Sequence, residues 1–256
     1  MSPILPLPPP EREEHDCDRI RKGGVGKTWF ASTLSHAFAR QNQKTLLFDG
    51  DLGLANVDVQ LGLSPEKDLG GFLAGRYAMD VAVSRYDLGG FDVIAGRSGS
   101  GNLATLGTDK LMLLCSRLVE HAAQYDRVIL DLGAGVERTV RYLASRASRC
   151  LVVTTDEPTS LTDAYAFIKL SKLQNSATEI SVVVNMADST SDGERTYNTL
   201  RKACENFLKI TPPLAGIIRK DAKVREAIRA QVPLLQRHPD THAAKDVIDL
   251  ARKLAT

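Results

Sequence analysis

Lys22-Gly23-Gly24-Val25-Gly26-Lys27-Thr28 has the composition of a phosphate-cradling loop. Its glycines let consecutive backbone N–H groups turn inward on an anion. Lys27 supplies a point charge for the β- and γ-phosphates, and Thr28 offers a hydroxyl to Mg²⁺ at the start of a helix. Such a loop should hang from the end of a buried, apolar strand. The residues before it, Glu11-Arg12-Glu13-Glu14-His15-Asp16-Cys17-Asp18-Arg19-Ile20-Arg21, cannot be that strand.

Downstream of the loop, short apolar runs alternate with helical patterns. TLLFDGD (45–51), FDVIAG (91–96), RVILDLG (127–133), CLVVTTD (150–156), ISVVVN (180–185) and LAGIIR (214–219) read as strands. They are nearly continuous in Val, Ile and Leu, as strands covered on both faces must be. Helical stretches are expected over 28–40, 110–124, 137–145, 160–173, 194–208 and 242–254. This alternation predicts an α/β fold with a single doubly wound, mainly parallel sheet and sites at the strands' carboxyl ends.

With 256 residues the chain can bury one full α/β core. Lys plus Arg (33) nearly balance Asp plus Glu (31), so bulk charge makes no case for nucleic acid or membrane. Cys17, Cys115, Cys150 and Cys204 lack paired spacing, against a zinc site or disulfide framework. The opening MSPILPLPPP is proline-broken, and no apolar run reaches spanning length, so a cytoplasmic protein is expected.

Acids stand where a nucleotide fold needs them. Asp49 and Asp51 follow TLLF, and Asp131 with Gly133 follows VIL. A carboxylate at a strand end beside a phosphate loop can hold the Mg²⁺ shell or orient an attacking water. Gly96-Arg97-Ser98-Gly99-Ser100-Gly101 misses the dinucleotide spacing and reads as a surface loop. Val247, Leu250, Ala251 and Leu254 form a helical stripe, read as the last core-packing helix; Asp246 and Asp249 argue against a membrane-binding role.

KGGVGKT, with Lys22 ahead of the glycine pair, resembles the deviant Walker A loop of the MinD/ParA ATPases. LLFDGDLGLANVDVQLGL (46–63), DLGAGVE (131–137), TTDEPTSLTDAYAFIK (154–169) and VVVNMA (182–187) resemble the FlhG/FleN flagellar-number branch. The resemblance implies an ATP- and Mg²⁺-dependent switch that forms a homodimer with nucleotide between subunits and hydrolyses ATP slowly. It implies catalytic roles for Lys22, Lys27 and Asp51, with Lys22 reaching the partner subunit's phosphates and Asp51 positioning the water. Nucleotide contacts are implied for Gly23, Gly24, Val25, Gly26, Lys27, Thr28, Trp29, Asn185 and Asp221, the last two on adenine. Metal-site roles are implied for Thr28, Asp131 and, as a supporting acid of the first switch, Asp49. Implied partners are a flagellar GTPase or another flagellar protein, with peripheral placement at membrane or pole.

Trp29, the only tryptophan, replaces the small hydroxyl residue common in the wider family and reads mainly as a packing residue. The larger departure lies upstream. Relatives carry an apolar strand ending in Ser-Gly directly before the signature lysine, whereas this chain has HDCDRIR. Read one nucleotide later, the synonymous codons for His15–Arg21 permit Met-Ile-Ala-Ile-Ala-Ser-Gly. Residues 1–21 are therefore expected to be an atypical, frameshifted segment without a proper first strand, and 22–256 the ATPase domain. Two other functions stay open. One is a ParA-like ATPase using Arg219, Lys220, Lys223, Arg225 and Arg229 on nonspecific DNA. The other, if Arg21 is genuine, is a nucleotide-impaired adaptor.

Overall fold

A computed structural model describes residues 24–96, 106–133, 137–176 and 178–255. Its first element, α1 (Lys27–Ala39), starts directly from the glycine loop. Every residue from Trp29 to Phe38 on it is buried, so α1 is covered on all sides, as its apolar composition requires.

The chain continues through β1 (Thr45–Asp49), the short helices α2 (Val57–Leu61) and α3 (Leu69–Leu73), a 3₁₀ turn, and the hairpin of β2 (Val83–Tyr86) and β3 (Phe91–Ile94). Three strand–helix units follow: α4 (Thr108–Ala122) with β4 (Arg127–Asp131), α5 (Arg138–Ala144) with β5 (Arg149–Thr154), and α6 (Pro158–Gln174) with β6 (Glu179–Ala187). The last part holds α7 (Thr190–Leu208), β7 (Leu214–Arg219), α8 (Ala222–Ala230), α9 (Leu234–Arg237) and α10 (His242–Ala255).

Strand order is β2-β3-β1-β4 in one sheet and β5-β6-β7 in a second. All pairings are parallel except β2 with β3. The expected fold class holds, and all six anticipated strands form, but β4 and β5 are not paired to each other among the described residues. Helices α1 and α10 pack on one face, where Ile129, Leu151 and Val153 point. On the other face Val128 and Leu130 meet α4, while Cys150 and Val152 meet α6 and α7.

β1, β3, β4 and β5 stop two residues earlier than their apolar runs predict, while β6 runs on to Ala187 and β7 ends as expected. β1 ends at Asp49, where the Gly50 N–H donates to the Asp131 carbonyl at 2.7 Å and ties the two strand ends together. Residues 50–56 then leave the sheet and build the site. β2, α2, α3, α8 and α9 lie outside the elements expected from sequence; each is short, and the polar, half-exposed faces of β2 and α8 blur the apolar period. The C-terminal stripe does pack inward, with Val247, Leu250 and Ala251 buried against α1. No helix among the described residues is long and apolar enough to cross a membrane.

Candidate functional site

Gly26 caps the N-terminus of α1 with φ +78°, the left-handed region that favours glycine. A Cβ at this position would lie 2.7 Å from Nδ2 of Asn185. That amide is buried at the end of β6 and donates to the Val25 carbonyl at 2.8 Å. The sheet thus holds the loop from beneath, and only glycine fits between them. Lys22 and Gly23, read as the start of the loop, lie outside the described residues.

Lys27 opens α1 among three acids. Burial lowers its pKa, while the charges of Asp131, Asp51 and Asp163 oppose that shift. Asp131, at the end of β4, is pushed up to about 6 by burial, against the hydrogen bond from Thr28 and the charge of Lys27. Its Oδ2 is buried and has no hydrogen-bond partner among the described residues. A buried carboxylate oxygen left free beside a threonine hydroxyl is an all-oxygen donor pair. Mg²⁺ is held by just such sets, with one or two carboxylates and the remaining positions taken by water and phosphate. The residues present fit that ion. No cluster of three or more His, Cys, Asp or Glu suited to a metal occurs among the described residues, so a cage made wholly of protein is absent there.

Asp49 is fully buried and spends both oxygens on the following loop. Oδ1 accepts the Asp51 N–H at 3.2 Å, and Oδ2 accepts those of Asn56 and Val57 at 3.1 Å each. Burial, reinforced by Asp131, pushes its pKa up to about 7 against those three bonds. Asp49 therefore shapes the 50–57 loop that presents Asp51. Asp51 accepts the Leu54 N–H at 3.0 Å through Oδ1, and its carboxylate would lie 3.1 Å from a Cβ at Gly133. A side chain at 133 would press on the Asp51 carboxylate, so glycine there lets β4's end approach it.

These groups open onto a cleft of about 1070 Å³ lined by Gly24, Gly26, Lys27, Thr28, Asp51 and Gly133 on one side. The volume is on the scale of a pocket for a small organic ligand. Another part of the lining is what sequence reading missed: Met186, beside Gly26, and the wall formed by Val224, Arg225, Ile228 and Arg229 of α8. Met186 is half-exposed with φ +57°, just where the β6–β7 register breaks, and a non-glycine residue in that region marks a site over-determined by its surroundings. Gln231, just beyond α8, donates to the Val59 carbonyl at 2.8 Å and ties this wall to α2.

Other expected residues fall in several places. Trp29 is buried in the core beneath α10 and also borders the cleft. Asp221 is the N-cap of α8, accepting the Lys223 N–H at 2.9 Å, and does not line the cleft. The basic run divides: Arg219 is bound to Asp246, Lys223 to Glu226 and Lys220 to Asp188, while Arg225 and Arg229 face the cleft.

A glycine loop opening a helix, a lysine and threonine at its start, and a buried acid at the neighbouring strand's end define a P-loop nucleotide-binding protein. Residues 20–234 match the family model described as the CobQ/CobB/MinD/ParA nucleotide binding domain, and the chain belongs to that family. It is 34% identical over 234 residues to antiactivator FleN of Pseudomonas aeruginosa, covering 91% of this chain and 83% of that protein. Flagellum site-determining protein YlxH of Helicobacter pylori is 26% identical over 239 residues, covering 92% and 79%. Among solved structures, the cell division ATPase MinD of Pyrococcus furiosus superposes with TM-score 0.77 at 24% identity, over 91% of this chain and 94% of that one. MinD of Pyrococcus horikoshii, solved with Mg-ADP, gives TM-score 0.76 at 22% identity, over 91% and 92%. Both likenesses concern the fold.

Proposed function

We propose that this chain is an ATP-hydrolysing dimerisation switch that regulates flagellar number or placement. The observation that carries the reading is the convergence of Lys27, Thr28 and Asp51 on the lining of a nucleotide-sized cleft, with Asp131 buried behind them and coupled to Lys27 and Thr28. Phosphoryl transfer needs positioning and charge neutralisation more than covalent chemistry, and this set provides both. Lys27 neutralises the β- and γ-phosphates. Thr28 and Asp131 would hold Mg²⁺, and the ion, when bound, would supply charge neutralisation for the phosphate oxygens. Asp51, aimed by the loop that Asp49 organises, orients the attacking water. Asn185, expected at the base, is instead buried beneath Gly26, does not line the cleft, and steadies the loop.

The dimer is supported by the cleft's rim. Leu54 and Val59, 74% and 58% exposed, flank its mouth together with half-exposed Met186. An apolar rim of this kind is covered when a second subunit closes over the site. In that arrangement Lys22 reaches the partner's phosphates and makes hydrolysis depend on dimerisation. The flagellar assignment rests on the 34% identity to FleN over most of both chains. Engagement of three residues of the basic run in ion pairs weighs against a nonspecific DNA role.

ATP turnover measured against protein concentration tests the proposal. The rate per chain should rise with concentration, Lys22→Ala should remove that rise, and Asp51→Ala should trap an ATP-bound dimer that turns over at least about 100-fold more slowly. A concentration-independent rate, unchanged in Lys22→Ala, would refute the trans-acting lysine. ATP-dependent retention on DNA, abolished by salt, would replace the flagellar reading with a partition one.

A further inference from the structure

The sheet is divided by a slot. β4 pairs only with β1 and β5 only with β6 among the described residues, so each leaves a backbone edge facing the other. Between them lies a cavity of about 250 Å³ lined by Ile129 and Leu130 of β4 and Leu151 and Val153 of β5. Phe30 and Leu34 of α1 line one of its faces, and Ala164 and Phe167 of α6 the other.

Burial tells the same story. Leu46, Leu47 and Phe48 of β1 have 0% exposure, whereas Val128, Ile129 and Leu130 one strand away are only partly buried. In a parallel sheet with helices on both faces the central strands should be the most buried of all. Here the two strands that face each other at the centre are buried less completely than β1 and β6 beside them.

The glycine loop stands at the slot's mouth. Val25 and Lys27 line its carboxyl end beside Asp131, so a strand seated in the slot would run directly into the loop. The slot's walls are five and six residues long, enough for a strand of about 17–20 Å. Its residues would alternate between the α1 face and the α6 face, apolar on both. His15-Asp16-Cys17-Asp18-Arg19-Ile20-Arg21 brings several charges, whereas the charged groups of the lining stand at the slot's ends, Arg149 at one and Lys27, Asp131 and Asp163 at the other; the apolar middle offers no counter-ion, and buried unpaired charge is strongly unfavourable.

We propose that the β4–β5 slot is the seat of a parallel apolar strand, encoded one nucleotide out of the frame that yields His15–Arg21. The shifted codons permit Met-Ile-Ala-Ile-Ala-Ser-Gly. They also permit threonine, valine, glutamate and other residues at several positions, and the slot supplies the choice that the codons lack. Ile-Ala-Ile-Ala puts larger side chains on one face and small ones on the other. Ser-Gly then replaces Arg21 where the backbone turns into the phosphate loop. With that strand seated, the two sheets become one, in the order β2-β3-β1-β4-new strand-β5-β6-β7.

Two measurements test the proposal, and neither uses nucleotide turnover, so the switch activity and this inference can fail separately. Resequencing the locus from independent isolates should find one additional nucleotide just before the Lys22 codon; an intact frame encoding HDCDRIR overturns the inference. Hydrogen exchange is then compared between the chain as given and one in which residues 15–21 are exchanged for Met-Ile-Ala-Ile-Ala-Ser-Gly. Alternate amides in β4 and β5, those facing the slot, should exchange about 100-fold more slowly in the second chain. Equal exchange in the two chains would show that the slot takes no strand.

Discussion

Replacing Gly26 by alanine tests how the phosphate loop is held. At φ +78° an L-residue costs about 1–2 kcal/mol relative to glycine. The new methyl would also lie 2.7 Å from Nδ2 of Asn185, so that amide must retract and give up its 2.8 Å bond to the Val25 carbonyl, costing about 1 kcal/mol more. The expected loss is about 2–3 kcal/mol, or roughly 100-fold in a folding or loop-closure constant. Urea unfolding followed by the fluorescence of Trp29, the only tryptophan, reads it directly. The midpoint should fall by about 1 M at an ordinary slope. Adding Asn185→Ala to Gly26→Ala removes the clash but not the backbone strain, so the second substitution should cost less in the double variant than alone. A midpoint unchanged in Gly26→Ala, or strictly additive losses, would refute the account of why glycine is needed there.

Burial pushes the His36 imidazole down to about 4, with Arg40 adding to the shift, and its Nδ1 has no hydrogen-bond partner among the described residues. Its folded pKa lies below the unfolded value of about 6.5, so it contributes stability above that value and loses it as pH falls toward 4, by about 3 kcal/mol in all. Asp49 and Asp131 act oppositely in an overlapping window, hence the check is the difference between the pH–stability curves of the parent and His36→Leu, which should flatten on the acid side. Asp246 accepts from the backbone N–H, Nε and Nη2 of Arg219 at 2.7–2.9 Å, so Asp246→Ala should lower stability by about 1–3 kcal/mol, measured by thermal or denaturant unfolding. Removing both cleft-facing arginines, Arg225→Ala with Arg229→Ala, should weaken Mg-nucleotide binding about 10-fold and flatten its salt dependence, while unfolding stays within about 0.5 kcal/mol of the parent.

Much of the fold was legible because parallel strands covered on both faces leave dense apolar runs, and six of the seven strands announced themselves in this way. β2 did not: its Val83-Ser84-Arg85-Tyr86 is half-exposed at a sheet edge, where the apolar pattern is weak. The loop, Lys27, Thr28 and the acids at 49, 51 and 131 were legible because phosphate and magnesium chemistry demands those residue types at strand ends. The roles within that set were not. Asp49 and Asp51 look alike in the sequence, yet one is fully buried under three backbone N–H groups and the other borders the cleft. The α8 wall was hidden for a related reason. In sequence its arginines belong to one basic run, and only packing divides that run between ion pairs and the cleft.

The sequence by itself determined the alternation of strand and helix, the phosphate loop and the acids around it, because burial and anion binding each constrain residue type locally. It also placed a charged segment directly ahead of the phosphate loop. Tertiary structure alone decided which carboxylate is buried to shape a loop and which one meets the cleft. It alone revealed, among the described residues, a cavity between β4 and β5 where the two sheets face each other. Those outcomes depend on contacts between residues far apart in the chain: Asn185 under Gly26, Gly133 beside Asp51, and β5 across from β4.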